Sequence, residues 1–246
     1  MNKTQADYIK PILETWETED IRIFAIALLN KLPDYIWHVP ASSTGKYHPA
    51  YSLGEGGLMR HSIAVVRFVN YLFELEQFQN KFTARERDLV RTACLTHDGM
   101  KSGTQEEFEH NKYTKFNHPL LQAEVVRSFL GKDIIPDSEI EIIANAIESH
   151  MGQWNTDKRN KDIILPKPVN KYQQIVHMAD YFASRKDLTL DFSSYKQELN
   201  LEEFTLTFGK YKGEKLVDLA EKDPSYVDWL KINCTDEYTK RHLELV

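Results

Sequence analysis

His61, the adjacent pair His97-Asp98, His118, His150 and Asp180 are the residues of this chain whose types and spacing could do chemistry together. The intervals between them are 36, 20, 32 and 30 residues, each long enough for a helix and its return. An adjacent His-Asp pair lets one carboxylate bridge two cations while imidazoles hold each cation separately. Two cations a few ångströms apart clamp a phosphate and generate hydroxide from water. The chemistry such a set suits is metal-assisted hydrolysis of a phosphate ester.

The elements that must position these residues read as helices. From Thr83 to His97, the apolar positions Val90, Ala93 and Cys94 lead to His97 at helical spacing. Ile140, Ile143, Ala144 and Ile147 form a stripe that His150 continues. His61 opens a stripe through Val65, Phe68, Val69 and Leu72, His118 one through Leu121, Val125 and Phe129, and Asp180 lies one turn after Val176. All six residues are thus expected within five helices, facing the bundle interior. Any one of these histidines is as readily a satisfied core or capping residue. Six buried polar groups converging without cations would be costly.

The stretches GGLMRHSIAVV (Gly56 to Val66), THDGMK (Thr96 to Lys101), HPLLQAEVV (His118 to Val126), IIANAIESHMGQW (Ile142 to Trp154) and VHMADYFASR (Val176 to Arg185) resemble the HD-domain metal-dependent phosphohydrolases. The resemblance covers roughly residues 45–186 and is closest to the dinuclear subgroup. The lead-in KYHPAYSLGEGGLMRH also looks like that of YhaM-type 3′-to-5′ exoribonucleases. Gly99 departs from the family, where an aliphatic residue is commoner, and it is expected to touch no ligand. The resemblance implies that His61, His97, Asp98 and Asp180 hold a first metal. Asp98 then bridges to a second metal on His118 and His150, and a bridging hydroxide attacks phosphorus. Two divalent transition-metal ions are expected, from Mn, Fe, Ni or Zn, because mixed nitrogen and oxygen donors disfavour Ca or an all-oxygen Mg site.

Lys101, one turn beyond Asp98, is placed to offset charge on a phosphate oxygen. Arg60, beside His61, has two readings, a second phosphate contact or an exposed surface arginine. His48, in Tyr47-His48-Pro49, either lines the substrate mouth or is a loop histidine without a role. His177, three residues before Asp180, either stands behind the ligands or packs in the core. The polar loop Gly99 to Asn117 is a mobile lid or a solvated surface loop, and both it and Asn155 to Asn170, with Pro166 and Pro168, should rim the site.

The remainder of the chain narrows the partners. A net charge of −6 leaves no global basic footprint for long nucleic acid. Positive residues do gather locally at Lys158, Arg159, Lys161, Lys167 and Lys171, and at Lys210, Lys212 and Lys215. The absence of an apolar run near 18 residues argues against a membrane span. The polar N-terminus argues against a secretory signal, and two cysteines 140 residues apart do not form a disulfide framework. A cytoplasmic protein is expected.

After about residue 190 the composition changes. Phe204, Leu206 and Phe208 alternate with Thr205 and Thr207 like a strand. A lysine-bearing Gly209 to Gly213 turn follows, then a short helix from about Leu216 and a restart at Asp223-Pro224. TFGKYKG, DP and YVDWL resemble, in order, the small module at the C-terminus of exonuclease X-like proteins. Its aromatic residues Phe208, Tyr211, Tyr226 and Trp229 either stack bases or form a tiny core.

The expected fold is therefore mainly α: an HD-type helical bundle with its helical lead-in over residues 1–190, and a small α+β module over 200–240. The expected function is two-metal cleavage of phosphodiester or phosphoester bonds, with a nucleic acid end or a nucleotide as substrate. A nuclease acting on single-stranded ends is favoured. The alternatives are a small-molecule nucleotide phosphohydrolase or cyclic-nucleotide phosphodiesterase, and a non-catalytic metal-binding regulatory protein.

Overall fold

Helix starts in this chain are written in reciprocal caps. The Thr83 hydroxyl accepts from the Glu86 amide at 3.2 Å while the Glu86 carboxylate accepts from the Thr83 amide at 2.8 Å. Asn170 and Gln173 repeat the device, as do Asn2 with Gln5 and Thr104 with Glu107. Each cap satisfies amides that the first helical turn leaves without partners. A computed structural model describes residues 1–42, 48–129, 133–157, 162–188 and 201–246. Tyr47, Lys158, Arg159 and Lys161 lie outside the described residues.

Among the described residues there are twelve α-helices. They are α1 (Lys3–Leu13), α2 (Glu19–Leu29), α3 (Gly57–Glu74), α4 (Glu76–Gln79), α5 (Ala84–Thr96), α6 (Gln105–His110), α7 (His118–Ser128), α8 (Asp137–Glu148), α9 (Lys171–Ala183), α10 (Leu216–Lys222), α11 (Pro224–Asn233) and α12 (Glu237–Leu243). The fold is mainly α. α5 is the pivot of the larger cluster and packs on α2, α3, α8 and α9, while α3 lies along α9 and α7 along α8. Phe24, Ile63, Leu89, Ile143, Ile147 and Val176 are fully buried in this core. Each contributes about 1.5–3 kcal/mol by leaving water. No described helix is long and apolar enough to cross a membrane.

The second cluster is built from Phe204, Leu206, Leu216, Leu219, Val227 and Leu230. Phe204 and Leu206 are buried and Thr205 and Thr207 exposed, so the alternation is real. It does not produce a sheet. Among the described residues the pairing stops at an isolated antiparallel bridge, Thr205 with Lys215, because Gly209 and Gly213 turn the chain at φ 76° and 89° before a longer ladder can form. The module is helical where an α+β unit was expected. Phe208, Tyr211 and Tyr226 pack on its core, whereas Trp229 is exposed.

The helical lead-in divides into α1 and α2. The stretch after Asp98 holds a helix, α6, started by the Thr104 and Glu107 cap. Gly99 is a packing position as well: a Cβ there would stand 2.6 Å from Gln122 Oε1 and 2.7 Å from Leu32 Cδ1. Gly99→Ala is expected to cost about 1–3 kcal/mol through overpacking, read as a lower urea midpoint with an unchanged slope.

Candidate metal centre

The six residues converge, though few of them sit inside a helix. His61 lies in the second turn of α3, and Asp180 in α9. His97 caps the end of α5 and Asp98 follows it, His118 is the first residue of α7, and His150 stands in the turn after α8. The expectation of five ligand-bearing helices is thus corrected for the helix ends. Side chains there leave along directions that a continuous helix does not offer, so four groups reach one point from three helices.

Asp98 is the hub. Its Oδ2 lies 3.4 Å from His97 Nε2 and 3.8 Å from His61 Nε2, while its Oδ1 lies 2.9 Å from His118 Nε2 and 3.8 Å from His150 Nε2. Asp180 Oδ1 is 3.0 Å from His61 Nε2 and 3.6 Å from His97 Nε2. The ligand atoms of His61, His97 and Asp180 lie within 4.8 Å of one another, as do those of His97, Asp98 and His150. Each trio is close enough to hold a metal ion.

Three imidazoles are aimed by one device. Nδ1 of His97, His118 and His150 meets the carbonyl three residues earlier, on Cys94, Lys115 and Ile147, at 2.8, 2.7 and 2.8 Å. A carbonyl cannot donate, so Nδ1 carries the proton and Nε2 presents its other valence to the centre. Buried Nε2 of His97 and His118 and Oδ1 of Asp98 find no hydrogen bond of sound geometry. The lone pairs of His118 Nε2 and Asp98 Oδ1, 2.9 Å apart with no donor between them, are what a cation would satisfy, so the donor set fits a divalent metal.

The electrostatics agree. Burial pushes the Asp98 and Asp180 carboxyls up, but Lys101 and His97 beside Asp98, and His61 and His97 beside Asp180, hold both well below the usual carboxylate range. Burial pushes His97 down, yet Asp98 and Asp180 outweigh it and lift the imidazole to about 10. His150 is driven to about 3 by burial and by His97. Without metal, the cluster holds its two carboxylates by keeping a proton on His97.

The family model of the HD domain matches residues 58–185, just over half of the chain, and that span contains all six residues. The chain belongs to the HD-domain family. The family sets the activity class as metal-dependent phosphohydrolysis. A second model, the exodeoxyribonuclease X-like C-terminal domain, matches residues 206–234 of this HD protein. No curated protein and no solved structure shows significant similarity to it.

Around the HD centre the remaining sequence candidates take different places. Lys101 Nζ pairs with Asp98 Oδ2. The turn that carries it is held by the Tyr35 hydroxyl, which donates to Gly103 O at 2.8 Å and accepts from Ser102 N at 3.0 Å. His48 stands beside His61 with ring centroids 5.6 Å apart. Burial, then His61 and Lys101, depress it to about 3, so it is neutral. Arg60 is not in the cluster. Its guanidinium donates to the carbonyls of Tyr51, Leu53 and Glu55 and lies 5.8 Å from the Tyr238 ring, which ties the entry loop of α3 to α12. Neither a phosphate contact nor a free surface arginine describes it.

His177 stands behind the ligands. Its Nδ1 lies 2.7 Å from the His150 carbonyl and therefore donates to it. Gly152, at φ 59°, has no room for a Cβ against the same ring. Sequence spacing placed His177 near the site face and left its partner open, because a bond to the carbonyl of a residue 27 positions away carries no local signal. His177→Ala is expected to loosen this turn and weaken metal binding by roughly 10- to 100-fold with the fold retained, as measured by competition against a chelator.

Proposed function

We infer that this HD protein is a two-metal phosphohydrolase that cleaves phosphodiester or phosphoester bonds at single-stranded nucleic acid ends. One observation carries the two-metal part: the two oxygens of Asp98 address different histidine pairs, His61 with His97 and His118 with His150. His61, His97, Asp180 and Asp98 Oδ2 would hold one cation, and His118, His150 and Asp98 Oδ1 the other. Bound there, two divalent cations supply Lewis-acid activation of the phosphoryl group and of the attacking water.

The chain's own groups do the rest. Lys101 neutralises Asp98 in the metal-free cluster. With a cation held by that carboxylate, Lys101 would be free to offset charge on a phosphoryl oxygen. Neutral His48 at the mouth offers hydrogen bonding without adding positive charge. Tyr35 keeps Lys101 in reach by bracing its turn.

The exonuclease X-like match and the YhaM-like lead-in support a strand end as substrate. The net charge of −6 supports a second reading, a mononucleotide or cyclic nucleotide. The deciding experiment incubates Mn²⁺-loaded protein with end-labelled single-stranded RNA and DNA beside a nucleotide panel. A ladder of shortened strands establishes the nuclease and its polarity. Intact strands with a cleaved nucleotide establish the second reading. Salt separates them again, since several phosphate contacts give a steep loss of affinity with added salt.

A further inference from the structure

Trp154 is the exposed tryptophan that lies nearest in sequence to a candidate ligand, the other exposed one being Trp229 in the C-terminal module. It sits four residues past His150, in a turn fixed by its amide to the Met151 carbonyl at 3.1 Å, yet 45% of it is exposed. Its indole stacks on Tyr181, ring centroids 5.8 Å apart and 10° from parallel. Tyr181 adjoins Asp180. The His177 ring stands edge-on to both, 6.4 Å from each, and bonds the His150 carbonyl. The indole is therefore held through one intervening ring by the turn that carries a candidate ligand. Arg185, one turn beyond Tyr181, brings its guanidinium carbon to 4.4 Å from the Tyr181 centroid. Its Nε is buried without a hydrogen bond, and the guanidinium makes no ion pair among the described residues. A rigid, half-exposed aromatic face beside a cation that makes no ion pair among the described residues suits a flat π-system that carries negative charge.

We propose that Trp154, backed by Tyr181 and flanked by Arg185, is the platform on which the substrate's nucleobase stacks beside the metal centre, with Arg185 pairing an adjacent phosphate. The proposal rests on the reading of the centre as a nucleotide-directed phosphohydrolase and names how that centre holds its substrate. Stacking tolerates any base, because each has a π-face. The platform accordingly selects nucleotides over other phosphate esters without selecting sequence.

The test measures binding apart from turnover. A dye-labelled short single strand, and a twin with abasic ends, are titrated by anisotropy in chelator into the full chain, into Trp154→Ala and into Trp154→Phe. The expected result is that wild type binds the base-bearing strand roughly tenfold more tightly, the scale of one stacked base. Trp154→Ala removes that gap without weakening the abasic strand, and Trp154→Phe keeps most of it. Competition by adenosine monophosphate but not by ribose 5-phosphate also supports the platform and assigns it to a free nucleotide. Equal binding of the two strands by wild type, or a gap that survives Trp154→Ala, overturns it. Failure of the underlying reading looks different: Mn²⁺-loaded protein would cleave neither strand nor nucleotide while the base-dependent gap persists. Cleavage at rates indifferent to both the base and Trp154 would keep the reading and sink the platform.

Discussion

Asp98→Asn is expected to fold normally and to lose phosphohydrolase activity by at least about a thousandfold. That loss corresponds to about 4 kcal/mol of charge stabilisation at the reacting phosphate. The asparagine amide copies the shape of the carboxylate, and its N–H can donate to an imidazole Nε2 that now faces an oxygen. The imidazole Nε2 keeps a partner, but Lys101 and protonated His97 lose the charge that offsets them, so in chelator the variant should melt below wild type while keeping its fold. What disappears is the anionic bridge between the two histidine pairs, and with it the partner of Lys101. Metal content by mass spectrometry should fall with the activity. A folded, metal-depleted variant that still hydrolyses any phosphoester at the wild-type rate would remove Asp98 from the mechanism.

Metal-free protein should lose stability steeply on mild acidification. His48 and His150 titrate at about 3 in the fold and near 6.5 when unfolded. Between those values the unfolded chain binds protons that the native state refuses, so stability falls as pH falls. From pH 6.5 to 5 the two together remove about 3 kcal/mol. His61, depressed by burial, acts in the same direction. His97 works at the other end: raised to about 10, its contribution is complete below its unfolded value and is lost as pH rises through 10. The depressed Asp98 and Asp180 contribute above the ordinary carboxylate range and fail only in stronger acid. Urea unfolding in chelator at pH 7.5, 6.5 and 5 measures the slope. A flat profile would mean that the buried imidazoles take up protons in the fold as readily as in the unfolded chain.

What the sequence made legible was whatever it encodes locally. The Thr83 and Glu86 cap begins α5, Asp223-Pro224 separates α10 from α11, and the apolar stripes identify the core faces of α3, α8 and α9. The six clustered residues were legible because five short stretches carry them, each with a distinctive neighbour. The buried face of α7, however, runs through Gln122, Ala123 and Val126 and not through Leu121, Val125 and Phe129. Elements that depend on distant partners were not. Arg60 looks like any arginine beside a ligand until the entry loop folds over it and offers three carbonyls. Trp154 and Tyr181 meet across 27 residues with no period to announce them. α6 differs from these, since Thr104 and Glu107 spell its cap in the sequence. The strand-like alternation at Phe204 to Phe208 reported burial correctly and pairing incorrectly, because alternation marks which side faces inward and says nothing about whether a neighbouring strand is long enough.

The bonds from Nδ1 of His97, His118 and His150 to carbonyls three residues back narrow the replacements these positions can accept. An aspartate or glutamate is a perfectly good metal donor, but it has no proton to give that carbonyl and would set lone pairs against lone pairs. Three of the six positions are thereby closed to carboxylates by the backbone itself, before any metal is considered. The side of the centre facing Asp98 Oδ1 is held to nitrogen donors, while the side shared with Asp180 keeps an extra oxygen. Two cations seated there would meet unequal surroundings, and exchange of one should be separable in time from exchange of the other.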